Sequence, residues 1–210
     1  NPARPWVVTD RRNGRQQYVY LANFDWYNYL YDDSRPTWDH NINIKGGTKA
    51  LSYMVSGRYY QQKGVNRLEP DMFRSYNFRV KLQAEIKPWL TIASNTKFFQ
   101  SNYKYYGYED EYNNFRKPTL HALASFVPVN PDGTAVSHTS MTQSSTHYVM
   151  DGYNAMMQKG KSFGNKKTQE ITTTFEATFK LHKNFNIKAD FSYTQGYLHN
   201  DYRSVNVQYS

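Results

Sequence analysis

The chain has 210 residues, a net charge of +9 and no cysteine. Disulfides and thiolate zinc sites are excluded, and no run approaches the roughly 18 apolar residues that a membrane-spanning helix requires. The positive balance raises nucleic acid as a partner. However, the basic residues fall mostly singly within alternating segments, although Lys159, Lys161, Lys166 and Lys167 cluster. A solvated, generally basic surface accounts for the charge, so no nucleic-acid partner is expected.

The chain begins at Asn1 with neither an initiator Met nor the basic, apolar and small-residue regions of a signal peptide. The expectation is a processed product or an internal fragment. Residues 1–38 read as an irregular segment, with Pro2, Pro5 and Pro36, a turn at Asn13-Gly14 and the aromatic stretch FDWYNYLY. HNINIKGG predicts a short strand closed by a tight turn at Gly46-Gly47, and LSYMVSGRYYQQ predicts a second.

FRSYNFRVKLQAEIKPWLTIASNTKFF, residues 73–99, predicts two more strands joined at Lys87-Pro88. In its first half, Tyr76, Phe78, Val80, Leu82, Ala84 and Ile86 oppose Asn77, Arg79, Lys81, Gln83 and Glu85. A long loop at 103–167 follows, holding the turn Pro131-Asp132-Gly133 and the polar stretch SHTSMTQSST. Strict alternation then returns. Ile171, Phe175 and Phe179 oppose Glu176 and Lys180; after a turn at Lys183-Asn184, Ile187 and Phe191 oppose Lys188 and Asp190. The fold class is therefore all-β, with about six antiparallel strands spread over 39–210.

Alternation alone leaves two architectures open. A soluble sheet turns its apolar face to a core, whereas a transmembrane barrel turns that face to lipid and its polar face to a wet lumen. Three features favour the barrel. The alternating runs Tyr76 to Ile86 and Ile171 to Leu181 match the roughly 9–11 residues of a tilted spanning strand. Short turns alternate with long loops. Aromatics such as Tyr59, Tyr60, Phe98, Phe99, Trp89 and Phe185 gather near the strand ends, as in an interfacial girdle.

In a barrel the charges must point inward, because Lys or Arg facing lipid near midplane costs roughly 2–4 kcal/mol. The expected lumen-facing residues are Asn77, Arg79, Lys81, Gln83, Glu85, Glu176, Lys180, Lys188 and Asp190. The expected lipid-facing residues are Phe78, Val80, Leu82, Ile86, Ile171, Phe175, Phe179, Ile187 and Phe191. Six strands with two unpaired edges cannot close, so the expectation is part of a larger barrel. The rival is a soluble carbohydrate-binding β-sandwich.

The ordered set DWYNYLY, HNINIKGGT, the strand running to Tyr59-Tyr60 and Gln61 to Gly64, YNFRVKL, and the Pro88-Trp89-Leu90-Thr91 turn resembles the start of the barrel in the SusC/RagA family. FVPVNPDG and GNKKTQEITTTFEATFKLHKNFNIKADFSY resemble that family's following segments, so the likeness runs over roughly residues 24–200. These are TonB-dependent outer-membrane transporters of Bacteroidota. The resemblance implies a plugged, antiparallel barrel of about 22 strands in the outer membrane. It also implies uptake of oligosaccharides or peptides, a SusD-like surface lipoprotein partner, and energy from TonB acting through a plug. On this resemblance, the plug and the remainder of the barrel lie outside this chain, and 1–38 leads from plug to barrel.

No catalytic constellation emerges, and neither enzyme activity nor a cofactor or metal is expected. Gly160-Lys161-Ser162 ends like a phosphate loop, but the motif's leading Gly would fall at Ala155. It reads instead as the basic, mobile tip of an external loop. EDEY at 109–112 reads as polar loop, and the six His lack metal spacing. Sugars stack on aromatic rings and hydrogen-bond to amides and carboxylates, so Tyr105, Tyr106, Tyr108, Asn113, Asn114, Asn130 and Asp132 are the candidate substrate contacts.

Overall fold

The computed structural model describes residues 7–12, 14–21, 23–107, 124, 127–134 and 161–205. It begins with a hairpin of β1 (Val7–Arg12) and β2 (Arg15–Tyr20) and a short helix α1 (Trp26–Leu30). Six strands follow: β3 (Thr37–Gly47), β4 (Leu51–Lys63), β5 (Met72–Lys87), β6 (Leu90–Tyr106), β7 (Phe163–His182) and β8 (Phe185–Arg203). They form one antiparallel sheet in the order β3-β4-β5-β6-β7-β8, so every neighbour in space is a neighbour in sequence. The fold is all-β, and this meander is consistent with part of a β-barrel wall.

Cross-strand register sorts the side chains. Val55, Val80, Thr96, Thr173 and Tyr193 form one row across β4 to β8. Tyr53, Leu82, Ser94, Phe175 and Phe191 form the next on the same face. The intervening rows, such as Ser56-Arg79-Lys97-Thr172-Thr194, belong to the other face because successive strand residues alternate sides.

Three expectations need correction. Residues 1–38 are not irregular throughout, since the alternating VVTDRR and RQQYVY segments pair through a turn where Gly14 supplies φ +77°. The turn assigned to Gly46-Gly47 lies one step later. Both glycines belong to β3, and the Thr48 hydroxyl accepts from the Ala50 and Leu51 N–H groups at 3.3 and 3.2 Å. The long connection is 107–162 rather than 103–167, because β6 and β7 run past their apolar stretches to 17 and 20 residues.

The buried core lies at the long-connection end. Phe24, Trp26, Leu30, Tyr31 and Val127 pack together, with Val65, Leu68 and Tyr106 against them. Asp25 caps α1, and its Oδ1 accepts from the Asn28 N–H at 3.0 Å. That hydrogen bond holds the Asp25 carboxyl below its ordinary range. The segment is stitched to the β4–β5 loop by Asp32 N–H to Val65 C=O and Arg67 N–H to Leu30 C=O, both 2.8 Å. Arg67 Nε also donates to Asp32 Oδ1 at 3.0 Å, and Lys63 Nζ lies 3.4 Å from Oδ2.

The Arg67 hydrogen bond is the main reason that the Asp32 carboxyl sits below its ordinary pKa. A depressed folded-state pKa gives stability that is present above the unfolded value and lost as pH falls through the folded one. Amide exchange at Asp32 and Arg67, corrected for intrinsic rates, should therefore accelerate below about pH 4. Asp32→Asn should abolish that acid-dependent step.

Candidate functional site

The polar face of the sheet carries two ion pairs and a set of side-chain hydrogen bonds among the described residues. Arg58 donates to both Asp39 oxygens, Nε at 2.9 Å and Nη2 at 2.7 Å, a bidentate geometry suited to guanidinium and carboxylate. Arg79 sits directly opposite Lys97, where like charges repel, and its Nε donates to Asn95 Oδ1 at 2.8 Å. Glu176 likewise sits opposite Asp190, and Lys188 bridges to Glu176 at 2.7 Å. Hydroxyl pairs continue the lattice, with Thr172 to Thr194 at 3.0 Å and Thr174 to Ser192 at 2.9 Å.

A cleft of about 670 Å³ runs along this region, lined by Lys45, Ser52, Lys81, Gln83, Asn95 and Glu176 among others. A second, of about 480 Å³, lies toward the long-connection end. Arg35, Gln62, Asp71, Phe73, Tyr103 and Lys166 line it. Two aromatic rings, an amide and fixed charges converge there. Arg35, Phe73 and Tyr103 are not among the contacts expected from the sequence. The alternation of Phe73 and Tyr103 within their strands was the available signal, since the register sets them directly opposite one another.

The nine residues Asn77, Arg79, Lys81, Gln83, Glu85, Glu176, Lys180, Lys188 and Asp190 share the polar face. Phe78, Val80, Leu82, Ile86, Ile171, Phe175, Phe179, Ile187 and Phe191 lie on the opposite face. That face is uncovered among the described residues. Leu82, Ile171, Phe175 and Phe191 are 46, 41, 54 and 65% exposed.

Four of the candidate contact residues are described, and their surroundings differ. Tyr105 is buried on the polar face, stacked on Tyr103 with ring centroids 5.5 Å apart. Tyr106 follows it in β6 and therefore points to the other face, where the Lys104 ammonium lies 5.0 Å from its ring. Asn130 is buried in a turn, donating through Nδ2 to Thr134 Oγ1 at 3.0 Å. Asp132 Oδ1 accepts from the Thr134 N–H at 2.9 Å and from its hydroxyl at 2.7 Å, which keeps the Asp132 carboxyl below its ordinary range. Tyr108, Asn113, Asn114 and the 109–112 acidic run lie outside the described residues.

Ser162 is not part of a loop tip. It is buried, its hydroxyl accepts from the Val205 N–H at 3.3 Å, and its carbonyl accepts from the Gly107 N–H at 3.0 Å. Among the described residues no group of three or more His, Cys, Asp or Glu could hold a metal ion.

No protein-family model and no curated protein matches this sequence. The fold does match solved structures. A structure of the RagAB peptide transporter superposes with a TM-score of 0.59 at 21% identity, and the RagAB peptide importer in its closed-closed state gives 0.58 at 20%. Each match covers 85% of this chain and 20% of the neighbour, so the chain spans about one-fifth of those chains' length.

Gly164 faces Tyr105 across β6 and β7, and a Cβ there would strike the tyrosine ring. Gly164→Ala should therefore cost about 1–3 kcal/mol as the ring is displaced. In a double-mutant cycle read by denaturant midpoint, Tyr105→Ala should relieve the clash and make the two changes strongly non-additive.

Proposed function

We propose that this chain forms part of the wall of a TonB-dependent outer-membrane transporter of the SusC/RagA type. That transporter imports oligosaccharides or peptides with a SusD-like lipoprotein at the cell surface. The observation that carries the reading is the two-faced meander: exposed apolar rows on one side, an ion-paired polar lattice on the other. The fold match to the RagAB peptide importer supports it, as do the family-like segments over residues 24–200.

The dimensions agree. From Tyr76 to Ile86 the apolar face of β5 rises about 33 Å at ~3.3 Å per residue. Tilted by about 40°, that projects to roughly 25 Å, the height of the apolar band on an outer-membrane barrel. Tyr59, Tyr76 and Tyr197 share the upper row of this band, and Trp89, stacked on Phe179 at 6.4 Å, marks the lower end. Polar atoms inside the band satisfy one another, as Thr96 and Thr173 do at 3.2 Å. A soluble sandwich requires the opposite burial. Leu82, Phe175 and Phe191 would pack beneath a second sheet, and among the described residues none covers them.

On this reading, the polar face lines a wet interior. Residues 1–38 lead from a plug toward the wall, and 39–210 form the wall and its external loops. The clefts beside Phe73 and Tyr103 offer ring faces and hydrogen-bonding groups to a passing sugar or peptide. Tyr105, Tyr106, Tyr108, Asn113, Asn114, Asn130 and Asp132 remain proposed contacts, and of those described Asp132 is the exposed one.

The test is made in the complete transporter. Leu82→Arg and Phe175→Arg should each cost about 2–4 kcal/mol and deplete heat-modifiable barrel from the outer-membrane fraction. Gln83→Arg and Thr174→Arg, on the polar face, should change assembly little. Equal tolerance on both faces would rule out the membrane reading. Deleting the transporter should abolish TonB-dependent growth on oligopeptides or on oligosaccharides, and whichever is lost identifies the cargo.

A further inference from the structure

The apolar face does not end at its aromatic row. Two further rows continue upward on the same side, and their composition changes abruptly. The first runs Trp38, Gln61, Arg74, Asn102, Lys167, His199; the next runs Lys63, Met72, Lys104, Asn165, Asp201. Arg203 lies one row higher, opposite Phe163.

These positions hold five Lys or Arg residues and one carboxylate, Asp201, which is engaged with His199 at 2.7 Å. Lys63 is drawn toward Asp32 at 3.4 Å and Arg203 does not line the groove, which leaves Arg74, whose Nε donates to Gln61 Oε1 at 3.0 Å, Lys104, held over the Tyr106 and Phe163 rings, and Lys167. Arg74 and Lys167 flank Asn102 on the two adjoining strands, and Lys104 sits two residues beyond it along β6. Together they line one outward groove of about 610 Å³.

We infer that Arg74, Lys104 and Lys167 form a binding site for the phosphate groups of anionic lipid headgroups in the outer leaflet, phosphorylated lipid A in particular. The inference rests on the membrane reading above and adds a lipid ligand to it. Height is the first argument. Each row adds about 5 Å along the bilayer normal for a strand tilted ~40°, so these cations begin where the aromatic girdle gives way to headgroups.

Chemistry is the second. Arginine and lysine are the side chains that bind phosphate by charge-assisted hydrogen bonds. The third is continuity. An acyl chain lying against Phe78, Phe98 and Ile171 has its headgroup directly under the Arg74-Asn102-Lys167 row. The polar face at the same level is not comparably basic, carrying Tyr60, Ser75, Ser101, Thr168 and Leu198 in one row.

The test uses the complete transporter, reconstituted in vesicles doped with either phosphorylated lipid A or its phosphate-free counterpart. Lipid retained after purification is counted by native mass spectrometry. Wild type should retain phosphorylated lipid A at least tenfold better than the phosphate-free form, with retention falling as salt rises. The triple variant Arg74→Gln/Lys104→Gln/Lys167→Gln should lose that preference while still assembling. Lys45→Gln/Lys81→Gln, on the polar face, should keep it.

Equal retention of the two lipids by wild type, or unchanged preference in the triple variant, overturns the site. Loss of the lipoprotein partner with lipid A retention intact overturns it too, because the patch would then be a protein interface. If Leu82→Arg assembles normally, the membrane reading itself has failed; if only the triple variant behaves like wild type, the lipid site alone has.

Discussion

The backbone ladder of the β3–β8 meander is the constraint on which everything else rests. Once Tyr76 pairs with Tyr59 and Gln100, period two assigns every other side chain to a face across six strands. A slip of one residue would set Arg79 and Lys81 among the phenylalanines. The polar contacts Arg58-Asp39, Arg79-Asn95 and Lys188-Glu176 therefore favour this register. The buried Tyr105 ring lying over Gly164 across the ladder adds to it, because it fits best opposite a residue with no side chain.

The faces of the sheet were legible because apolar and polar residues alternate with period two along each strand. Phe175, Glu176, Ala177, Thr178 and Phe179 can be sorted without coordinates. The strand ends were not legible. Above the Tyr76 row both faces of β5 to β8 carry mostly polar residues, so Arg74, Asn102, Lys167 and Asp201 carry no periodic signal although they remain paired. That is why the connection looked longer than 107–162. The helix and its core were hidden for another reason. Trp26, Leu30 and Tyr31 are buried by Val65, Leu68 and Val127, partners separated from them by tens of residues, and one turn of helix is too short to show a period.

The candidate contacts show the same division. Residue type alone suggested Tyr105, Tyr106, Asn130 and Asp132, but type does not fix direction. Consecutive tyrosines in a strand must diverge, and Asn130 and Asp132 hold a turn around Thr134. Tyr103 and Phe73 fit an aromatic platform better, because the ladder sets them directly opposite one another across β5 and β6 and both line the same cleft.

The spacing of the strands also bears on how the sheet assembles. The β3 to β6 and β7 to β8 portions are each closed by connections of two to eight residues, whereas 107–162 separates them. In the unfolded chain, closing that connection costs about 2–3 kcal/mol more entropy than closing the Pro88-Trp89 turn. Local hairpins should then zip first, as two independent halves, and the β6–β7 seam should join last. It is the one place where a nascent sheet exposes a long unpaired edge in mid-sequence, which makes it the step most in need of a chaperone.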